Sequence, residues 1–495
     1  MDEFSTIEGR FKRTPVRLAD HEGASGVLRL RGRKSRLDVS SAAFLHLEPI
    51  EDEDWYDLRV RSSDGRELLL HHAITLRSGT HFWGGSSDDA HTVSVFPNIV
   101  VDDLRGLSER RQVQRIQFRL RGLRHFFHYL HAEPLRSHDA TPDQIETLRS
   151  LRYRSGHEDG PFNPQEIYVV HRFDEGMSLR VGDRVYEVWS GGEFSGGSWD
   201  RIDARTYPVA EIKFDLPVSI DMALDRVWEW RRFFSQMAMV PLALEAISVR
   251  GSLAETAPSA NLYLPNLPRN PKETTGPYAL SPRHLAWNSW GERDQLRNGM
   301  QRWLEQGEAR RAFRARLDRV ISRMDRRIDP GDLIELSAAV DSLAELAPPA
   351  TFPTGSIEAI VKAAHAAAVT AGADISRERL GGLIGMLQRP TLSARFATLG
   401  SGLEPPLSPD DAALLARSAT RIRNAAAHGG AMTDQIQPRI APTIEALAAL
   451  CARFDLEGCG FPPRSASADA RTMTAIRFDE GLDALRGIDG GAARA

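Results

Sequence analysis

Cysteine is nearly absent: Cys451 and Cys459 are the only two in 495 residues. Two thiols cannot build a disulfide framework or a four-ligand zinc site, so a reducing compartment is the expectation. Lysine is scarce as well. Five of the 63 basic residues are lysine (Lys12, Lys34, Lys213, Lys272 and Lys362), so 58 are arginine. No apolar run reaches the roughly 18 residues that a membrane helix requires. Even MAMVPLALEAISV (237–249) is broken by Pro241 and Glu245. An excess of positive charge is missing too: 63 Lys+Arg face 67 Asp+Glu, a net charge of −4. That excludes a generally basic coat for nucleic acid, and any such contact must be local. The opening MDEFSTIEGR is acidic and polar, unlike a signal peptide. The expectation is a cytoplasmic protein with no membrane segment.

What is present is a globular composition, 41% hydrophobic and 26% charged, which excludes wholesale disorder. The length allows about three domains of roughly 100–200 residues. Arginine binds phosphate bidentately better than lysine does. The Ala-rich C-terminal half, however, gives GC-rich coding as the simpler source of so many arginines.

The first 215 or so residues read as strands: GVLRLRGRKSRLDV, WYDLRVRSS-DG-RELLLHHAITL, HTVSVFPNIVV and MSLRV-GD-RVYEVW cluster or alternate apolar residues between turn signals. Short strands with Gly-rich connections suggest a sandwich or a distorted barrel. RQVQRIQFRLRGLRHFFHYLHAEP suits either strand or helix. SIDMALDRVWEWRRFFSQMAM (219–239) has helical spacing. A Pro-, Asn- and Ser-rich stretch over 251–283 reads as a linker. Beyond Asp329-Pro330-Gly331, segments punctuated by Pro, Gly and Ser read as a compact helical bundle. The organisation is thus α+β and multidomain. A β-rich, sandwich-like region covers 1–283, a connecting helical segment 284–328, an all-α bundle 329–460, and a poorly ordered tail 461–495.

Most motifs of known chemistry are missing. His125, His128 and His131 would share a helical face at i, i+3 and i+6, but no Cys or acidic partner stands at ligand spacing, and neighbouring Phe126, Phe127 and Tyr129 read as core. The Gly-rich SGGEFSGGSWD (190–200) reads as a loop; no Lys-Ser/Thr follows it, as a phosphate cradle needs. No Gly-x-Ser-x-Gly elbow or His-Glu-x-x-His pair occurs. No metal and no cofactor are expected.

The informative stretch is Ser408 to Gly430. Ser408-Pro409-Asp410-Asp411 offers an N-cap, a proline at N1 and two acids in the first turn. Leu415, Ala419, Ile422 and Ala426 then form an apolar stripe, while Arg417, Arg421, Asn424 and His428 form a polar one. Gly429-Gly430 ends the helix. Histidine can exchange a proton with a ribose hydroxyl, and arginine can hold the charge gathering on phosphorus. Arg423 lies about 140° round the helix from His428, so within one chain the two do not share a face. Arg421 lies about 20° from it.

Arg423-Asn424-Ala425-Ala426-Ala427-His428 resembles the Arg-x4–6-His motif of HEPN-domain ribonucleases in its Arg-Asn-x-x-x-His form. LIELSAAVDSLAEL resembles the first helix of that domain, where a polar or acidic residue accompanies the motif. Asp341 occupies that place best, with Glu335 and Glu345 as rivals. The layout as a whole, with FPNIVVDDLRGLSERRQVQRIQFRLRGLRHFF in the first half, resembles the ApeA family of bacterial anti-phage proteins. Spacing alone says little, because 58 arginines and 15 histidines give Arg-x4-His about twice by chance. It occurs at Arg66/His71, Arg152/His157 and Arg423/His428. Only the third has a capped helix, Asn after Arg, small residues between, and Gly after His.

The resemblance implies a metal-independent endoribonuclease acting as a dimer, with Arg423 of one chain meeting His428 of the other. It implies 2′-OH attack with His428 as general acid or base and Arg423 on the phosphorane, Asn424 and Asp341 orienting them, and Arg417 and Arg421 binding RNA. Its partners would be RNA, a second copy and a phage-derived trigger, in abortive-infection defence controlled by residues 1–283. The alternative is a ligand-binding protein whose helical bundle only dimerises.

Overall fold

The computed structural model describes residues 3–41, 55–81, 90–107, 111–127, 136–139, 141–143, 146, 166–169, 176–198, 201–254, 256–267, 284–285, 293–324, 327–343, 356–387, 391–427, 433–462 and 471–492. The chain divides into two compact units. One comprises Met1–Ser219, Leu244–Asn266 and Ser289–Gly291; the other Ile220–Ala243, Leu267–Asn288 and Glu292–Ala495.

The first unit is β-rich. Its strands β1 (Thr14–Leu18), β2 (Ser25–Arg29), β3 (Arg36–Ser41), β4 (Tyr56–Ser62), β5 (Glu67–His81) and β6 (Ala90–Phe96) close on themselves in the order β5-β4-β1-β2-β3-β6-β5. Alternation puts Leu28, Leu37, Val60 and Val95 wholly out of water. Gly65, at φ +84, makes the tight β4–β5 turn that Asp64-Gly65 announced. The 15-residue β5 carries the closure: its first part pairs with β4 and with β7 (Ile99–Asp102), and its part from Ile74 onward pairs with β6. A register shift between Thr75 and Arg77 bends the strand between these duties.

From β7 the same sheet continues through β15 (Ala260–Tyr263), β14 (Leu244–Arg250), β8 (Val113–Leu120), β13 (Arg201–Val218) and β12 (Arg184–Ser198) to β11 (Met177–Val181), while β9 (Arg136–Asp139) and β10 (Glu166–Val169) pair with each other. Glu211 on β13 is 1% exposed and takes a two-pronged ion pair from Arg115 on β8, with Gln117 donating at 2.9 Å. The sandwich-like expectation is therefore corrected: one sheet closes into a barrel and then runs on open, because β5 is long enough to serve both. SGGEFSGGSWD is corrected as well, since 190–198 belong to β12 and pair with β13. Gly191 sits in that strand because a Cβ there would lie 2.6 Å from Val209 Cγ2 and 2.9 Å from the Tyr207 ring. The ambiguous segment after Arg111 becomes β8 followed by one helical turn, Leu123–Phe126.

The second unit is helical. With Glu3–Arg10 and Leu123–Phe126 counted as α1 and α2, its helices are α3 (Ile220–Ala238), α4 (Arg293–Glu305), α5 (Gly307–Met324), α6 (Pro330–Asp341), α7 (Ser356–Thr370), α8 (Arg377–Leu387), α9 (Leu392–Ser401), α10 (Pro409–Ala427), α11 (Gln437–Glu457) and α12 (Met473–Ala492). Helix α11 is the axis of the core, and α3, α5, α6, α9, α10 and α12 all pack on it. No helix among the described residues is long and apolar enough to cross a membrane.

Two boundary expectations change. The bundle is wider than 329–460, since α3, α4 and α5 belong to the same helical unit rather than to a sensor region or a connector. The tail expected to be poorly ordered carries α12, which buries Met473, Phe478, Leu482 and Leu485. Composition hid this helix, because its glycines read as breakers. At Gly481 a Cβ would lie 2.7 Å from Pro442 O and 2.9 Å from Ala446 Cβ, so glycine there permits α12 to lie close on α11.

Asp455 joins these helices. Fully buried near the end of α11, it accepts from Gln236 Nε2 of α3 at 3.0 Å, Trp303 Nε1 of α4 at 2.9 Å, and Arg310 Nη1 of α5 at 2.7 Å. Arg314 of α5 grips both oxygens, at 2.8 and 3.0 Å, and its guanidinium lies 3.8 Å from the Trp303 ring centroid. Burial alone would raise this carboxyl, but the charges and hydrogen bonds of Arg314 and Arg310 outweigh it and hold it below its usual range. Asp455→Ala strands a buried guanidinium and should cost about 3–5 kcal/mol of unfolding free energy. A depressed carboxyl stabilises above its unfolded pKa and loses that contribution as pH falls through the folded one. The gap between wild type and Asp455→Ala in denaturant titrations should therefore be full at neutral pH and shrink only below about pH 4. A gap that closes near neutrality would refute the assignment.

Candidate nucleic-acid interface

Helix α10 starts where its sequence says it should. Ser408 Oγ accepts from Asp411 N at 3.2 Å and donates to Asp411 Oδ2 at 2.7 Å, and Pro409 takes the first helical position. Arg486 of α12 then ties down Asp411 Oδ1 at 2.7 Å, fixing this end to the bundle. Leu415, Ala419 and Ile422 are wholly buried against the core and Ala426 is half-buried, so the apolar stripe faces inward. That orientation turns Arg417, Thr420, Arg421, Arg423 and Asn424 to solvent. At 100° per residue they cover an arc of about 160°, in the order Arg423, Thr420, Asn424, Arg417, Arg421.

No carboxylate among the described residues pairs with Arg417, Arg421 or Arg423. Other arginines of this unit do find partners: Arg316 and Arg319 share Glu335, Arg323 meets Asp332, and Arg471 meets Asp479, whereas exposed Arg327 and Arg379, like the arc, pair with no carboxylate among the described residues. The arc thus sets three arginines on one helix of a chain of net negative charge, with Asp410 exposed on the same side two turns earlier.

Arg417, Arg421, Arg423 and Asn424 share the exposed side of α10, and Asp341 lies on α6, a helix packed on α10. Asp341, at the end of α6, pairs with Arg395 of α9, whose Nε lies 3.4 Å from Oδ1, and no ion pair joins it to Arg423. Glu335 is also committed: the hydrogen bond from Arg319, with Arg316 behind it, holds its carboxyl below the usual range. Glu345, His428, Gly429 and Gly430 lie outside the described residues, as do His128 and His131. Of the other Arg-x4-His matches, Arg152/His157 is also outside them. In the first match Arg66 pairs with Asp64 and Asp102 while His71 pairs with Asp57.

Sequence reading passed over Thr420, although the arithmetic that placed Asn424 puts Thr420 one turn before it. It also passed over a cluster in the β-rich unit. Asp57 accepts from His71 Nδ1 at 2.7 Å, Arg111 Nη1 at 2.9 Å and His72 N at 3.3 Å. Burial would raise Asp57, yet the His71 hydrogen bond and charge, with Arg111, keep it low. His72 and Arg111 both hold left-handed backbone, at φ 52 and 56, a strain of about 1–3 kcal/mol each that a framework must enforce. The rings of His71 and His72 stack at 4.0 Å, and Trp55 lies 4.6 Å from His72. Only the doublet His71-His72 signalled this place in the sequence.

In comparisons with family models, curated proteins and solved structures, nothing matches the chain.

If the arc is a free surface, its side chains contribute little to folding. Arg421→Ala and Arg423→Ala should each shift the unfolding free energy by less than about 0.5 kcal/mol. Ile422→Ala, beside them but wholly buried, should cost about 2–5 kcal/mol. Urea denaturation of the three variants decides it: an Arg423→Ala loss as large as that of Ile422→Ala would mean that the guanidinium is packed.

Proposed function

We propose that this chain is an endoribonuclease of the HEPN type that cleaves RNA by 2′-OH attack without a metal ion. The observation that carries the reading is the exposed arc of α10. There Arg417, Arg421, Arg423 and Asn424 stand without an acidic partner among the described residues, on a capped helix that leads into His428. Two arginines within a turn of the motif suit a phosphodiester, which needs its two non-bridging oxygens neutralised before a nucleophile can approach.

The chemistry balances with these side chains alone. His428, as base, accepts the 2′-OH proton while the 2′ oxygen bonds to phosphorus. The P–O5′ bond breaks, the imidazolium formed at His428 returns that proton through water to the departing oxygen, and the products are a 2′,3′-cyclic phosphate and a 5′-OH. Arg423 holds the charge of the phosphorane, and Asn424 orients the phosphate. Arg417 and Arg421 grip flanking phosphates. No step is assigned to Asp341, whose carboxylate faces Arg395. A helical spacing of 100° per residue sets positions 423 and 428 about 140° apart, so the reading takes a second copy, each chain lending one member of the pair. The likeness to ApeA proteins supports a role in anti-phage defence, in the cytoplasm, with the β-rich unit answering a phage-derived trigger.

A second reading, a ligand-binding protein whose bundle only dimerises, is favoured by the strained Asp57, His71, His72 and Arg111 cluster, which suits a recognition site. The two readings differ in whether Arg423 and His428 do chemistry. Purified protein, with its trigger if one is needed, should cut RNA in excess EDTA, spare single-stranded DNA and leave 2′,3′-cyclic phosphate ends. Arg423→Ala should lower the single-turnover rate at saturating RNA by orders of magnitude, whereas Arg421→Ala should chiefly weaken binding. Mixing Arg423→Ala with His428→Ala should restore part of the activity through one intact composite site. Loss of cleavage on chelation, or 3′-OH ends, would overturn the mechanism; reversed phenotypes for the two arginines would move the site to Arg421.

A further inference from the structure

The hairpin of β2 and β3 ends in Arg29-Leu30-Arg31-Gly32-Arg33-Lys34-Ser35-Arg36, five basic residues in eight. The connection from α1 to β1 runs beside it: Leu30 N donates to Phe11 O at 2.9 Å, so Lys12 and Arg13 stand at the same end of the barrel. Two of the chain's five lysines, Lys12 and Lys34, are thus gathered here. We propose that the β-rich unit is itself a nucleic-acid-binding module, which grips the phosphate backbone of a single strand with this hairpin end. The inference stands whether or not α10 cuts RNA.

Lys12, Arg13, Arg31, Arg33 and Lys34 are exposed, and none pairs with a carboxylate among the described residues. Two carboxylates among those residues touch the hairpin end, and both are engaged. Asp38 holds Arg29 at 3.3 Å and Arg36 at 3.0 Å. Glu8 of α1 accepts from Gly32 N at 2.7 Å and from the Tyr263 hydroxyl. Nearby, Asp102 holds Arg10 and Asp64 holds Arg66. Seven cations against Glu8 and Asp38 leave an excess of five positive charges at one end of a barrel, on a chain whose net charge is −4. That is the local basic surface that a nucleic-acid contact needs on such a chain.

The backbone under these charges is fixed. Gly32 turns through left-handed backbone at φ 51, and its N–H is shared between Glu8 and the Tyr263 hydroxyl, the latter at 2.9 Å. Arg31 N donates to Ser35 Oγ at 2.7 Å, while Lys34 N and Ser35 N donate to Arg31 O and Gly32 O. A ligand therefore has only side chains to order. A phosphodiester strand fits the chemistry, since each nucleotide brings one negative charge and two non-bridging oxygens that a guanidinium takes with paired donors. A bilayer fits it less well: Phe11 and Leu30 are buried, so neither stands out to enter lipid. Five cations on five phosphates imply a slope of about −3.5 for log affinity against log salt, a loss of about a hundredfold between roughly 50 and 200 mM. Contacts to phosphate do not read base or sugar, so RNA and DNA should bind alike.

The test is fluorescence anisotropy of the full chain with a labelled single-stranded DNA and a 2′-O-methyl RNA of the same sequence. The background carries Arg417→Ala, Arg421→Ala and Arg423→Ala, so that α10 contributes nothing. Both strands should bind, with affinities within about threefold of each other. Adding Arg31→Gln with Arg33→Gln should weaken both by about tenfold or more and flatten the salt slope by about 1.4. Arg31→Lys with Arg33→Lys should keep the slope, and the far-ultraviolet circular dichroism melt of each variant should match the background. Affinity and slope untouched by the glutamine pair, or no binding once α10 is neutralised, overturn the proposal. So does displacement of the strand by phosphatidylserine vesicles or by poly-glutamate at equal charge concentration, which would make this end a membrane or protein surface. Cleavage of unmodified RNA by the wild-type chain, read in parallel, tests the ribonuclease alone. Cutting without hairpin-dependent binding removes the hairpin site and leaves the enzyme; hairpin-dependent binding without cutting does the reverse.

Discussion

A buried carboxylate with five hydrogen bonds organises the helical unit. Asp455 draws α3, α4, α5 and α11 to one point, through Gln236, Trp303, Arg310 and Arg314. An ionised group in the interior is costly unless its lone pairs are met, and here the acceptors are met by two guanidinium groups, an indole and an amide. Removing any one of them leaves the rest of the network short of a partner. The same contact explains why Ile220–Ala238, which follows directly on the last residues of β13, belongs to the helices: Gln236 reaches Asp455, and Arg231 reaches Asp318 of α5 at 2.9 Å.

The orientation of α10 follows from that frame. Helix α11 is held by Asp455 at one end and covered by α12, where Gly481 permits close contact. Helix α10 packs on α11 and α6 and is fastened at its start by Arg486 to Asp411. Once Leu415, Ala419 and Ile422 are committed to the core, the direction of Arg417, Arg421 and Arg423 is no longer free. The arc is therefore a consequence of packing several helices away, and it is held rigid by groups that never touch it.

Local arithmetic was legible and distant pairing was not. The cap at Ser408, the stripe through Ile422 and the exposed face of α10 all follow from spacing along one helix, and the structure has them as read. So does the helix over Ile220–Ala238. The barrel closure could not be read, because β5 reveals its two sets of partners only when sequence-distant strands are brought to it. Glycine misled twice, in β12 and in α12, since turn rules count it as a breaker, whereas a close neighbour gives it another use at Gly191 and Gly481. The partners of Asp341 and Asp455 were hidden for one shared reason. Each looks like an ordinary acid on an amphipathic helix, and only the fold supplies Arg395 to the first and Arg314 to the second.

Abundance of arginine carries no functional information in a chain with 58 of them. What the arc offers is three arginines on one helix, none paired with a carboxylate among the described residues. An arginine already paired must give up its carboxylate before it can take a phosphate, and the exchange returns little of the new contact. Among the described residues, Arg417, Arg421 and Arg423 have no carboxylate to give up. The free energy of a phosphate contact there is retained almost whole, on a helix whose backbone is already fixed. Composition makes arginine available everywhere; the fold decides where its charge is left over.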